Sequence, residues 1–398
     1  MNRALLNKEV QDYIDRHYKE EISKILFRGS PFQEVSVQEL GAQLNGKKKA
    51  EKKLPEFFNK RGIIYPPLLN LEQTSSEVTA KYKTSLVEGK SLLDLTGGFG
   101  IDSFYFSKSL EEVSHCELNT ELSELAKQNF KTLNAGNINT IPGDGISFLK
   151  SSSERFDWVY VDPSRRDYAG GRVFFLSDCL PNVPENLDLI FSHTENILIK
   201  TSPLLDLQAG LNELHSVKEI HIVAVDNEVK ELLWVLKKGF LGNVRVHTVN
   251  FQKKKLQVFD DFFGRDYPAK YSLPLKWLYE PNAAIMKSRL FSAVGERFGL
   301  KKLHPNTNLF TSEALVDFPG RKFEVLQVLP FKKKQLKARL NFSKAHISTR
   351  NFPLSVENLR KQLKLMDGGE NYLFFITNIE EKKVVMVCKK VPANPTEN

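Results

Sequence analysis

The chain has 398 residues, 57 basic and 48 acidic side chains and a net charge of +9. Its three cysteines, Cys116, Cys179 and Cys388, are odd in number and far apart, which argues against a disulfide framework and for a reducing compartment. The N-terminus lacks the apolar core of a signal peptide, and no apolar run approaches the ~20 residues of a membrane span, so a soluble cytoplasmic protein of two or three domains is expected. The charge is unevenly spread: residues 1–90 carry a net +4, residues 91–250 a net −8 and residues 251–398 a net +13. A basic flank of this kind suits a polyanion-binding module, or equally a solvated lysine-rich surface.

Residues 1–85 read as a helical domain. Val10, Tyr13, Ile14 and Tyr18 form one apolar stripe. Ser36-Val37-Gln38-Glu39 fits a capping box opening a second helix, with Gly46 as its expected end. Lys47-Lys48-Lys49, Lys52 and Lys53 then run beside Phe57 and Phe58. Interleaved lysines and aromatics can serve a nucleic-acid surface, but a solvated face beside two core phenylalanines is the favoured reading. Glu72 to Glu77 leads into Val78-Thr79-Ala80-Lys81-Tyr82-Lys83, an N-capped helix by spacing.

Residues 86–260 read as a doubly wound α/β domain. Leu92, Leu93 and Leu95 make a short apolar run, Thr96-Gly97-Gly98-Phe99-Gly100 interrupts it, and Ile101, Phe104 and Tyr105 continue at helical spacing. This is strand, glycine turn and helix, at the sheet end where such folds bind ligands. Further strands are expected at Val113–Leu118, around Asn139–Ile141, at Phe156–Val161, Asn196–Lys200, Glu219–Val225 and Val244–Phe251. Helices are expected over Glu121–Leu133 and Glu228–Lys238. Acids punctuate four successive strand ends: Asp94, Glu117, Asp144 and Asp162. One such acid is commonly a helix cap, whereas four in register describe a shared cleft.

The nicotinamide fingerprint fails because its third glycine position is Ser103, and no Gly-Lys-Ser or Gly-Lys-Thr is present for a P-loop. Asp94 ahead of the glycines instead suits a cationic ligand. Asp94-x-Thr96-x-Gly98-x-Gly100 resembles the first motif of the class I S-adenosylmethionine-dependent methyltransferases, with Thr96 in place of the usual first glycine. The resemblance implies a Rossmann-like seven-stranded core and S-adenosylmethionine as cofactor. It also implies that Thr96, Gly97, Gly98 and Gly100 meet the methionine end, with Asp94 near the ammonium group. Glu117 then takes the ribose hydroxyls, and Asp144 with Gly145 the adenine side. Nothing in the pattern implies a metal.

Asp162-Pro163-Ser164-Arg165 falls where such enzymes carry the substrate-side motif. Amino-methylating members have a second proline and an aromatic ring where Ser164 and Arg165 stand, a departure that removes the ring which stacks an adenine target. Asp162 can still orient an amine and ease loss of its proton. The run also resembles the Asp-Pro-Pro-Arg of pyrimidine C5 methyltransferases, but Lys200-Thr201-Ser202-Pro203 offers no cysteine nucleophile. Cys179 reads as a buried structural thiol. Arg165 and Arg166 can fork a phosphate or carboxylate, or serve as plain surface ion pairs.

Residues 261–398 read as a basic α+β region of strands, helices and a terminal hairpin. One helix is expected over Ala283–Phe298. Lys332, Lys333, Lys334, Lys337 and Arg339 crowd onto another, a surface able to track phosphates. Asn351-Phe352-Pro353-Leu354-Ser355, Tyr279-Glu280-Pro281-Asn282 and Asp162 to Asp167 resemble a bacterial methyltransferase family with a THUMP-like, ferredoxin-like C-terminal domain. That resemblance implies RNA, transfer or ribosomal, as the partner, and the missing cysteine nucleophile favours nitrogen or oxygen over carbon as the methylated atom. A protein or small-molecule methyltransferase and a non-catalytic RNA-binding protein are the alternatives.

Overall fold

The computed structural model describes residues 1–165, 175–253 and 255–392; Arg166 and Asp167 lie outside these. The chain divides into two compact units. The first comprises Met1–Lys218 and Leu233–Gly242, the second Glu219–Leu232 and the chain from Asn243 onward.

The first unit opens on α1 (Lys8–His17), α2 (Ile22–Arg28) and α3 (Val37–Lys53). Val10 and Ile14 of the α1 stripe are buried. Both halves of the predicted capping box form at Ser36 and Glu39. Gly46 does not end α3, contrary to expectation. It is there for close approach, since a Cβ at this position would stand 2.3 Å from Cβ of Tyr65. Next come α4 (Pro55–Asn59), α5 (Leu68–Gln73) and α6 (Glu77–Thr84), the last opened by a Ser76–Thr79 capping box.

Then β1 (Ser91–Asp94), α7 (Ile101–Phe106), β2 (Glu112–Glu117), α8 (Thr120–Thr132), β3 (Ile138–Pro142), α9 (Gly145–Ser151) and β4 (Phe156–Val161) alternate regularly. The front helices and this alternation share one core. Phe57 is fully buried and packs edge-on against Phe104 at 5.2 Å, within a cluster that also holds Ala50, Leu54, Tyr65, Ala80, Ala126 and Phe130.

A short antiparallel pair, β5 (Ser164–Arg165) and β6 (Cys179–Leu180), precedes α10 (Val183–His193), β7 (Thr194–Thr201) and α11 (Leu207–Glu213). Strands β7, β4, β1, β2 and β3 are parallel neighbours in that order. Central β1 is paired along both edges, and Leu92 and Leu93, which point to opposite faces, are both fully buried, as in a parallel strand covered on both faces.

After β8 (Val217–Val225) the expected helix over Glu228–Lys238 is instead β9 (Glu228–Lys237). Two features override the helical spacing. Asp226 and Asn227 both have positive φ, 50° and 65°, the backbone of a two-residue hairpin turn. Leu232 to Leu236 are also buried without interruption, as in a strand covered on both faces.

In the second unit β10 (Arg245–Phe251) runs parallel to β8 and antiparallel to β11 (Leu256–Phe262), a strand absent from the sequence reading. Its remainder begins with β12 (Trp277–Pro281), α12 (Ala283–Ser288) and α13 (Phe291–Phe298). These two helices replace the single expected one because Arg289 turns left-handed, with φ 60°. Then follow β13 (Lys301–Lys302), β14 (Phe310–Ser312), β15 (Gly320–Pro330), α14 (Lys333–Arg339), β16 (His346–Arg350), α15 (Val356–Leu363), β17 (Asn371–Thr377) and β18 (Lys383–Lys390). The sheet order is β13-β14-β12-β15-β18-β17-β16, and buried Phe323, Phe374 and Phe375 fill its faces. No helix among the described residues is long and apolar enough to cross a membrane.

Candidate functional site

Asp94 ends β1 and is 1% exposed. Its Oδ1 accepts from the Thr96 N–H at 3.0 Å and its Oδ2 from the Ser103 hydroxyl at 2.6 Å, so the carboxylate fastens both ends of the glycine loop. Burial first, then Asp102 and Asp162, push Asp94 up to about 7. The glycines serve distinct needs. A Cβ on Gly97 would lie 2.1 Å from the His115 ring, and one on Gly100 2.4 Å from Phe130. Gly98 and Gly100 have positive φ, 58° and 85°. Beneath the loop, the Ser103 hydroxyl also lies 2.9 Å from Nδ1 of fully buried His115, which burial pushes down to about 4.

Glu117 ends β2 and accepts two backbone N–H groups, from Gly98 and from Asn119, each at 2.7 Å. Its direction is thereby fixed, while each carboxylate oxygen keeps a lone pair. Asp144 caps α9, accepting from the Ser147 N–H at 2.8 Å and the Ser147 hydroxyl at 2.7 Å. Burial opposes ionisation there, yet the Ser147 bonds outweigh it and hold the carboxyl below its usual range. Gly145 beside it must lack a side chain, because a Cβ would stand 2.7 Å from the Leu95 carbonyl oxygen.

Asp162 follows β4, and its N–H donates to the Thr96 hydroxyl at 2.6 Å. Thr96, a departure from glycine in the sequence, thus ties the loop after β1 to the loop after β4. The Asp162 carboxylate forms an ion pair with Lys200 at the end of β7. Beyond it, pairing of Ser164 with Leu180 and of Arg165 with Cys179 holds the Pro163-Ser164-Arg165 backbone. Cys179 is half-buried, not buried as expected, and its thiol donates to the Phe175 carbonyl at 3.6 Å.

Behind the loop lies a polar cluster that the sequence reading missed. Asp102, in the first turn of α7, accepts from the hydroxyls of Ser75 and Tyr160, both at 2.8 Å. Its other oxygen is 3.2 Å from the ammonium of Lys83, which is fully buried. Lys83 also donates to Ser75 at 3.0 Å. The segment ahead of β1 therefore supplies the charge partner of the first helix after it. In the sequence Lys200 stands only as an ionisable residue closing the apolar run Ile197-Leu198-Ile199.

Asp94, Thr96, Gly97, Gly98, Gly100, Glu117, Gly145 and Asp162 are thus joined by direct contacts or close approaches, and Asp144 adjoins Gly145. Lys332, Lys333, Lys334, Lys337 and Arg339 belong to the second unit. Lys332 is the N-cap of α14, and all five are exposed around buried Leu336.

Family models described as THUMP domain-like and as a ferredoxin-like domain match residues 320–390 and 277–319. An uncharacterised S-adenosylmethionine-dependent methyltransferase of Mycobacterium tuberculosis is 27% identical over 230 residues, 56% of this chain and 60% of that protein's length. An uncharacterised RNA methyltransferase of Mycoplasma mobile is 30% identical over 135 residues, 33% of this chain and 37% of that protein. A crystal structure from Porphyromonas gingivalis, assigned to the methyltransferases, is 31% identical with a TM-score of 0.87. The match covers 96% of this chain and 98% of that one.

Proposed function

The chain belongs to the family of S-adenosylmethionine-dependent methyltransferases with a THUMP-like C-terminal domain, and on that premise we propose that it methylates a nitrogen or oxygen of a nucleotide in transfer or ribosomal RNA. The observation that carries the reading is the joining of three strand ends. Gly98 bonds Glu117 and Thr96 bonds Asp162, so a cofactor side and an acceptor side meet across one loop.

The residues fit the cofactor. A Cβ on Gly98 would meet nothing closer than the Thr96 carbonyl oxygen at 3.9 Å, so the loop faces open space there. The surrounding carboxylates suit a ligand bearing a sulfonium and an ammonium group. When bound, S-adenosylmethionine supplies an electrophilic methyl group. Glu117, aimed by its two backbone bonds, takes the ribose hydroxyls, and Asp144 with Gly145 borders the adenine. Asp94 shapes the loop at the methionine end. Asp162, oriented by Lys200, receives the acceptor's proton or directs its lone pair. Glu117→Ala should weaken S-adenosylmethionine binding by about 1.5–3 kcal/mol, the range for hydrogen bonds to a charged group. Unchanged calorimetric affinity in a folded variant would remove Glu117 from the site.

RNA as substrate is supported by the net +13 of residues 251–398, by the five exposed basic residues of the α14 region and by the name of the Mycoplasma relative. Comparison of modified nucleosides by mass spectrometry in cells with and without the gene tests it, since one methylated nucleoside should disappear. Changing Lys332, Lys333, Lys334 and Lys337 to Gln together should weaken RNA binding and flatten its salt dependence by up to about 0.7 log unit per lost single-strand phosphate contact. Cofactor affinity should stay unchanged. Equal slopes for wild type and variant would take α14 out of the RNA surface.

A further inference from the structure

The second unit carries a histidine–carboxylate cluster that methyl transfer does not use. Glu219 and His221 lie two apart on β8 and so project from the same face, and His221 is the register partner of His247 on β10. The two imidazoles stack with centroids 4.5 Å apart and planes within 11°. Oε2 of Glu219 stands 3.2 Å from Nε2 of His221 and 3.8 Å from Nε2 of His247. One ligand-type atom from each of the three residues lies within 4.8 Å of the others. Nε2 of His247 is buried and makes no hydrogen bond among the described residues, since the Glu219 oxygen is too far away. A desolvated imidazole nitrogen facing a carboxylate and a second imidazole is the donor set of a borderline transition metal.

We propose that Glu219, His221 and His247 form a binding site for one divalent transition-metal ion, zinc by the chemistry of its ligands. Zinc sits about 2.0–2.2 Å from nitrogen and oxygen ligands, so its donors stand roughly 3.3–3.5 Å apart in a tetrahedron. The two Glu219 separations already bracket that value, and a tilt of the stacked rings closes the third. The backbone is fit for the task because strand positions two apart, with one on the next strand, place three donors on a single face. The Glu219 and His247 side chains are 24% and 28% exposed, which opens a route for the ion and for a water as fourth ligand. Asp260, the register partner of His247 on β11, is a further neighbouring carboxylate. Arg245 and Arg297 engage it, which leaves a three-residue site. Arg245, the register partner of Glu219, is a nearby cation that opposes the ion, and its guanidinium is turned to Asp260 through two nitrogens.

The test uses untagged full-length protein stripped with a chelator. Titration with Zn²⁺ followed by calorimetry should give one ion per chain with micromolar or tighter affinity. Co²⁺ should give the visible absorption of a four-coordinate site. The double variant His221→Ala/His247→Ala should bind Zn²⁺ at least 100-fold more weakly, and Glu219→Gln at least 10-fold. If His221→Ala unfolds the strand pair, His247→Gln, at the more exposed position, carries the same comparison. No saturable binding by the wild-type chain, or equal affinity in folded variants, overturns the proposal.

Discussion

Replacing Lys83 by methionine should destabilise the first unit by about 3–5 kcal/mol, the cost of stripping one partner from a buried ion pair. Lys83 is fully buried, and its ammonium stands 3.2 Å from Asp102 and 3.0 Å from the Ser75 hydroxyl. Methionine keeps most of the apolar stem, so the loss falls on the charge. Burial alone would raise the Asp102 carboxyl; Lys83 first, then Lys200, outweigh it and hold the carboxyl below its ordinary range. A depressed carboxyl stabilises the fold above its unfolded pKa and loses that contribution as pH falls through the folded one. The Lys83 effect should therefore be full at neutral pH and shrink in acid. Urea unfolding of Lys83→Met, Asp102→Asn and the double variant reads the coupling, and the double should cost clearly less than the two singles together. An unchanged unfolding midpoint for Lys83→Met would show that the pair holds nothing.

That cluster also marks where the sequence stopped being legible. The glycine loop could be read because its signal is local: an apolar strand, glycines at a turn and a helical stripe within a dozen residues. The strand-end positions of Glu117 and Asp162 could be read because strand ends recur at regular spacing. Ser75 and Lys83 could not, since in the sequence they decorate a capped helix, and only the packing of α6 against α7 reveals what they face. Thr96 looked like a tolerated departure from glycine, and its bond to Asp162 crosses 66 positions. Helical spacing misled over Glu228–Lys237, where the Asp226-Asn227 turn signal and the unbroken run Leu232–Leu236 already argued for a strand. The metal-type cluster was invisible for the same reason as Lys83: Glu219, His221 and His247 become neighbours only once β8 and β10 pair.

Asp162→Ala should lower methyl transfer by about 100-fold or more, the share of a positioned acid–base group, while S-adenosylmethionine affinity stays within about twofold. The two effects separate because different atoms of Asp162 do different work. Alanine retains the N–H that donates to the Thr96 hydroxyl, so the glycine loop and the Gly98–Glu117 contact keep their support. What disappears is the carboxylate that pairs with Lys200 and to which we assign the acceptor's proton. Lys200→Met should also slow transfer if its ammonium serves to aim that carboxylate. Adding Lys200→Met to Asp162→Ala should then bring little further loss, because the aimed group is already gone. Single-turnover rates on the RNA found by nucleoside profiling, beside calorimetric cofactor titration, read both quantities. Multiplicative losses would give Lys200 a role of its own at the acceptor. Near-wild-type rates for Asp162→Ala would leave its carboxylate as a structural partner of Lys200 and move the proton-accepting group elsewhere in the cleft.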